Sequence, residues 1–491
     1  MGRDVPAITI SPQDRRAYRE KVRKCLDVFA RMLRESRFDA EPRQVGLEIE
    51  LNLADELGRP ALTNDRVLAS IADPAWATEL GQFNLEINIP PRPLAGDALS
   101  ALEREIRASL NHAEQRAAQC QSHLVMIGML PTLREADVGG HAMSPNPRYR
   151  LLNEQVLAAR GEEMHIRIEG TEQLAAYVDT ITPEAACTSV QLHLQVSPEL
   201  FASYWNAAQA IAGVQVALAA NSPFLFGREL WQETRITLFE QATDTRSDEL
   251  KHQGVRPRVW FGERWITSVF DLFEENLRYF PPLLPLQESE DPQATLDRGE
   301  APQLGELTLH NGTIYRWNRP VYAVVDGRPH LRVENRVLPA GPTVADIMAN
   351  AAFYYGLVRA LAEEERPVWT RMSFSAAAEN LASGARHGAE ARVYWPGMGE
   401  VEVTELTLRR LLPLAARGLE RWGVAGDDAR RMLSVIEQRC LTGATGASWQ
   451  CAAARRLASG RQVGREEALR LMTLDYIRHM HTNVPVHAWP R

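Results

Sequence analysis

Four separate stretches of the chain alternate apolar and polar residues, which commits each to a strand with one face on a core. They run from Val45 to Leu53, Phe83 to Ile89, Val190 to Val196 and Leu331 to Val337. Their polar positions are Glu48, Glu50 and Asn52; Asn84, Glu86 and Asn88; Gln191, His193 and Gln195; and Arg332, Glu334 and Arg336. An ordinary solvated face draws on Lys, Thr and Ser without selection, and none of these occupies the positions named. Carboxylates, amides, an imidazole and guanidinium groups suit a divalent cation and the phosphates it carries.

Residues two apart on a strand point the same way at about 6.6 Å. Glu48 and Glu50 therefore crowd two negative charges on one face, which is unfavourable unless a cation offsets them. Glu79, seven residues before Glu86, adds a further carboxylate. Any one of the stretches alone also reads as a half-exposed strand with routine polar residues. The four together point to a polyvalent cation site.

At 491 residues, with 45% hydrophobic and 24% charged residues, the chain has material for a sizeable core. Its net charge of -8 argues against a nucleic-acid grip built on bulk positive potential. Five cysteines (Cys25, Cys120, Cys187, Cys440 and Cys451) have no metal-binding spacing and read as reduced core thiols. The first residues lack the basic start and apolar run of a signal peptide, and no stretch reaches the ~18 apolar residues that span a bilayer. A cytoplasmic protein without membrane or nucleic-acid partners is expected, with monomer and dimer both open. Residues 210–226 read as a buried helix ending at Asn221-Ser222-Pro223.

The remaining periodicities predict helices over 12–36, 98–121, 151–159 and 198–220, an amphipathic helix over 344–364, and an almost wholly helical region from about 404 onward. Strands are predicted over 123–130 and 164–170, and residues 287–305, rich in Glu, Asp, Pro and Gly, read as a mobile or peripheral loop. Alternating strands among long helices favour an α+β fold with an antiparallel sheet, its polar face lining a cavity and helices covering its aliphatic outer face. The expected division is an N-terminal helix over 1–39, a catalytic domain over 40–390 and a helical C-terminal region over 391–491.

Chemically, the carboxylates suit two or more Mg²⁺ or Mn²⁺ ions carrying nucleotide phosphates, and zinc less well, since no Cys/His cluster accompanies them. Arg332 and Arg336 straddle Glu334, where they either neutralise a transferring phosphoryl group or form a salt-bridge ladder on Glu334. No Walker-type loop, dinucleotide fingerprint or nucleophile elbow is present. The segment from His310 to Pro320 suits a site wall and a buried structural corner equally.

Several motifs in order resemble the second family of glutamate–cysteine ligases, which includes plant-type enzymes and bacterial carboxylate–amine ligases. They are Gly46-Leu47-Glu48-Ile49-Glu50, Thr78 to Glu86, Pro147-Arg148-Tyr149, Cys187 to Gln191, Ala220 to Phe224 with Arg235 and Thr243 to Arg246, and Arg332 to Arg336. The resemblance covers roughly residues 40 to 390 and leaves the helices from about 404 outside it. It implies a glutamine-synthetase-like fold, a curved antiparallel sheet forming a funnel with metals at its floor. Carried over by position, it implies Glu48, Glu50, Glu79, Glu86, His193 and Glu334 as Mg²⁺ (or Mn²⁺) ligands. Some relatives carry Asn at the His193 position. It further implies Arg235 and Arg336 as catalytic contacts to the acyl phosphate, and Arg148, Tyr149 and Arg235 around the substrate. Gln191, Gln195, Arg332 and Arg336 then face the nucleotide. The implied activity is ATP-dependent formation of a γ-glutamyl amide from L-glutamate, with L-cysteine as default acceptor and glutathione synthesis as default pathway. A ligase for a specialised amine, a guanidino-type phosphotransferase and a non-catalytic binding protein are the alternatives.

Overall fold

In the computed structural model, which describes residues 11–40, 43–286 and 288–490, all four alternating stretches join a single curled antiparallel sheet. Its seven strands are β1 (Gln44–Ala54), β2 (Trp76–Thr78), β3 (Asn84–Pro93), β4 (His123–Val125), β5 (Ser189–Gln195), β6 (Asn318–Val325) and β7 (Arg328–Pro339). The order across the sheet is β6-β7-β5-β1-β3-β2, with β4 continuing along β1 where β5 leaves it. Strand β4 is shorter than the 123–130 run predicts, and it pairs only with Asn52 to Ala54.

The aliphatic face, including Leu47, Ile49, Leu51, Leu85, Ile87, Leu192, Leu194 and Val333, is buried. Helices Pro198–Ala219 and Val344–Ala362 pack on it and on each other. The first matches the buried helix read from the sequence. The second is not the amphipathic helix expected over 344–364, because it is buried on nearly every side. Helices Leu412–Trp422 and Gly426–Thr442 cover the face turned from the sheet. Residues 288–305 also differ from the expected loop. They hold helix Pro292–Asp297, capped by the Asp291 side chain and packed on helix Pro12–Arg34. Gln287, where that expected loop begins, and residues 1–10 lie outside the described residues. Among the described residues no helix is long and apolar enough to cross a membrane.

Polar groups inside this core fix its register. Asn335, whose side chain leaves β7 on the helix side, donates to Asn318 (2.8 Å), which donates to Gln209 (2.7 Å) on helix Pro198–Ala219. A buried amide network of this kind is satisfied in only one strand register, and here that register turns Glu334 and Arg336 into the funnel. At the β1 bulge beside Gly46, the hydroxyl of Tyr355 reaches the carbonyls of Gly46 (3.1 Å) and His193 (3.3 Å).

The C-terminal helices are keyed into the same body. Asn221 donates to Ala340 (2.7 Å) and to the Tyr476 hydroxyl (2.8 Å), and accepts from Gln450 (2.8 Å). Arg439 pairs with Asp346 at 2.7 Å and with Asn350 at 2.6 Å, both sides of the ion pair being almost wholly enclosed. Where helices Val344–Ala362 and Leu412–Trp422 cross, the Gly356 carbonyl occupies the space that a Cβ on Gly418 would need. Gly418→Ala is expected to force this crossing apart at about 1–3 kcal/mol, read as a lower urea midpoint. An unchanged midpoint would show that the helices separate without penalty.

Candidate active site

Strand pairing assembles the polar face of the funnel from residues far apart in sequence. Glu50 stands opposite Glu86, Glu48 opposite Gln191, and Glu334 opposite both His193 and Arg319. The face divides into an acidic half and an arginine half.

The acidic half contains Glu48, Glu50, Glu79 and Glu86. Burial raises Glu79 well above the usual carboxylate range, and the charges of Glu86 and Glu50 add to the shift. Burial likewise pushes Glu86 up to about 7, with the Glu48 charge next in weight. Glu50 is raised by burial despite the nearby Arg336 guanidinium. Burial would raise Glu48 too, but the adjoining His193 imidazole carries it down to about 2. Among the described residues the hydrogen bonds that hold these acids are few: Ser189 N–H (2.6 Å), Ser189 Oγ (3.0 Å) and Gln191 (2.7 Å) to Glu50, Asn88 (2.8 Å) to Glu86, and Leu80 N–H (3.3 Å) to Glu79. Desolvated hard oxygens that repel one another fit a hard divalent cation in charge and donor type. Among the described residues no three His, Cys, Asp or Glu side chains close into a coordination shell.

His193 has a defined orientation. Arg332 Nε, which can only donate, lies 2.9 Å from its Nδ1, so a neutral ring carries its proton on Nε2. That nitrogen is 3.2 Å from Glu48 Oε1, off the line of a hydrogen bond and without another partner. In this arrangement His193 turns an N–H, rather than a lone pair, towards the acids.

The arginine half centres on Glu334, whose two oxygens are both engaged. Arg336 donates to Oε1 at 2.6 Å and Arg319 to Oε2 at 2.8 Å. Burial works to raise Glu334, but Arg319 and Arg336 hold it well below the usual range. The same Arg336 nitrogen donates to Gln191 Oε1, and Gln191 in turn donates to Glu50, so one amide joins the two halves. Arg235 comes from helix Thr234–Ala242. It pairs with Glu233 at 3.0 Å and donates to the backbone carbonyls of Arg336 (3.4 Å) and Val337. These carbonyls lie where the β7–β5 ladder breaks register between Asn335 and Leu338. Arg235 thus supplies donors to a bulge that has lost ladder partners, and the bulge presents Arg336.

Between the halves lies a narrow cavity of about 30 Å³, room for a water or two. Glu50, Glu79, Arg235 and Arg336 line it, together with Cys187, Phe239 and Trp317. Glu184 lines it as well, from a short helical turn, Thr182–Ala186. Burial, and then the Glu50 charge, push this carboxyl up to about 7. Arg148 and Tyr149 open helix Pro147–Arg160, where Asn146 caps the Arg148 N–H and the Tyr149 hydroxyl reaches Thr78 O at 3.4 Å, next to Glu79. The segment from His310 to Pro320 serves both roles read from the sequence. Trp317 lines the cavity, whereas Arg316 is buried on Glu275 (3.1 Å) and His310 on the Asn276 carbonyl (3.0 Å).

Not every polar position on the strands reaches this floor. Asn52 is wholly buried, donating to Ile127 O and Thr188 and accepting from Asn84, so these amides clasp β1 to β3. Gln195 bonds to Asp39 O and the Gln44 N–H at the far end of β5, and Arg332 is spent on His193 and His330. Glu184, Arg319 and Glu233 are site residues that the alternation does not single out.

Comparison with known proteins adds a family to this geometry. Residues 44–473 match glutamate–cysteine ligase family 2 (GCS2), a span that takes in most of the C-terminal helices placed outside the resemblance above. Among curated proteins no match is found. Among solved structures, the chain is similar to a glutamate–cysteine ligase from Francisella tularensis in complex with AMP. The TM-score is 0.56 at 12% identity, over 91% of this chain and 90% of that one. It also matches a bifunctional glutathione synthetase from Pasteurella multocida at 13% identity and TM-score 0.47, over 93% of this chain and 55% of that one. With the acids and arginines gathered on one antiparallel floor, and the family match spanning that floor entire, the chain belongs to glutamate–cysteine ligase family 2 and is an ATP-dependent carboxylate–amine ligase.

Proposed function

We propose that the chain joins the γ-carboxylate of L-glutamate to an amine, with L-cysteine as the first acceptor to test. ATP would phosphorylate the carboxylate, releasing ADP. The amine nitrogen would then attack the acyl carbonyl as phosphate leaves with the C–O electron pair. The observation that carries this reading is the single cavity lined both by Glu50 and Glu79 and by Arg235 and Arg336. Phosphoryl transfer to a carboxylate needs both kinds of group within reach of one another. The Francisella neighbour is in complex with AMP, which supports a nucleotide substrate for this chain.

In this reading Glu48, Glu50, Glu79 and Glu86 are the ligands for Mg²⁺ or Mn²⁺, with Glu334 joining them when its arginines turn to the phosphates. Such an ion, when bound, offsets the repulsion between triphosphate and carboxylate. His193, its tautomer set by Arg332, places an N–H 3.2 Å from Glu48 and offsets that carboxylate's charge. Arg336 takes the transferring phosphoryl group, Gln191 aims it, and Arg235 fixes the bulge that carries it. Arg148 and Tyr149 flank the substrate beside Glu79.

Product mass spectrometry with ATP, Mg²⁺, L-glutamate and a panel of amines tests the reading. ADP with a γ-glutamyl amide is the expected result. ADP with a phosphorylated guanidino compound would replace it with the phosphotransferase alternative.

A pH experiment checks the cation site apart from turnover. Glu86 sits at about 7 in the folded protein, above its ordinary 4.5, so the folded state binds this proton more tightly. Its contribution to stability is fully present below 4.5 and is lost as pH rises through 7. Mg²⁺ is expected to raise the thermal midpoint more at about pH 8 than at about pH 5.5, because at low pH protons already neutralise the cluster. Equal shifts at both would remove the acids from the cation site.

A further inference from the structure

Among the charged groups that line the cavity, Glu184 is the one that the proposed phosphoryl transfer leaves without a task. Its partners are unlike those of the other charged groups there. Arg235 is committed to Glu233 and two carbonyls, and Arg336 to Glu334 and Gln191. Glu50 accepts from Ser189 and Gln191. Among the described residues nothing donates a hydrogen bond to the Glu184 carboxylate, which opens onto the cavity from a turn otherwise packed into the protein. A half-buried carboxylate without a donor is costly unless a cation meets it. The cavity wall also includes Phe239 and Trp317, packed edge to face at 5.7 Å between centroids, and the Trp317 face already carries the Arg235 guanidinium at 5.6 Å, so the aromatic wall offers Glu184 no second anion and leaves it the negative charge an incoming cation would meet. Acyl transfer brings one organic cation to this place. A primary amine at neutral pH arrives as its ammonium ion, and a carboxylate without a donor is the group in the cavity free to meet it.

We propose that Glu184 receives the acceptor amine in its ammonium form and holds the nitrogen at the mouth of the cavity. This rests on the ligase reading above. The role is to bind and position the acceptor, and it is separable from phosphorylation of the acid. It also sets the acceptor class, since an uncharged nitrogen nucleophile gains nothing from Glu184.

Hydroxylamine, uncharged at neutral pH, is the discriminating probe. The full-length enzyme with ATP, Mg²⁺ and L-glutamate is assayed for γ-glutamyl hydroxamate, with L-cysteine, ethylamine or ammonium added as competitor. The expected result is that at least one of these cations competes with hydroxylamine in the wild type. Glu184→Gln should weaken that competition about ten- to hundredfold while changing hydroxamate formation less than about threefold. Glu184→Asp, which keeps the charge on a shorter arm, should recover part of the competition. Loss of hydroxamate formation in Glu184→Gln, with folding intact by circular dichroism, would make Glu184 part of the cation or phosphate machinery and overturn the proposal. Unchanged competition in Glu184→Gln, or none by any cation in the wild type, would overturn it too. A wild type that forms no hydroxamate at all would instead sink the ligase reading on which it depends.

Discussion

Arg336→Lys will lower glutamate-dependent ATP turnover by about a hundredfold or more while leaving the protein folded. One Arg336 nitrogen already serves two acceptors, Gln191 on the acidic side and Glu334 on its own strand. The planar guanidinium keeps further N–H groups in a fixed fork for a phosphoryl oxygen, whereas an ammonium on a flexible stem offers a point charge without that geometry. Folding should survive because Arg319 still pairs with Glu334 at 2.8 Å and the positive charge at 336 is retained. The measurement is ADP release under saturating glutamate, with circular dichroism as the control. Near-normal turnover would leave Arg336 a purely structural partner of Glu334.

Arg439→Ala should be the most damaging single change to stability, at about 3–5 kcal/mol. It leaves Asp346 as a lone buried carboxylate, since Asp346 is fully enclosed and Arg439 is 1% exposed. Asp346 retains only Thr343 and the Val486 N–H, and Asn350 loses its partner as well. The cost is that of the stranded charge more than of the lost attraction. The double change Asp346→Leu with Arg439→Met should therefore recover part of the loss. Denaturant midpoints of the single and double variants check both statements. A double variant no better than Arg439→Ala would mean that the hydrogen bonds of Asp346, rather than its charge, carry the effect.

How much of this was legible in the sequence depends on parity. Glu48, Glu50, Glu86, Gln191, His193, Glu334 and Arg336 were visible as one functional face because a strand repeats every two residues, and the sheet keeps that count. Arg319 had a signal that alternation does not use. Asp326-Gly327 forms the hairpin turn, both residues with positive φ, and counting six residues back along each strand from Val325 and Arg328 sets Arg319 against Glu334. Glu184 had none, since a short helical turn before a strand carries no periodicity. Asn52 shares the parity of the site acids yet clasps β1 to β3 by accepting from Asn84, which itself lines the cavity. The helix Val344–Ala362 was misread for a related reason. One-dimensional amphipathicity cannot reveal a second layer that covers the face turned from the sheet.

The Asn221 junction has a consequence in time. Asn221 holds the Glu233 carboxylate through its own N–H, at 2.7 Å, and Glu233 holds Arg235. Its side chain is held in turn by Gln450 and Tyr476, which are synthesised 229 and 255 residues later. A ribosome-bound chain therefore has every acid and arginine of the floor before it has the helices that brace them. The bracing of Asn221, and through it of Glu233 and Arg235, is in place only once residues 450 and 476 have been made.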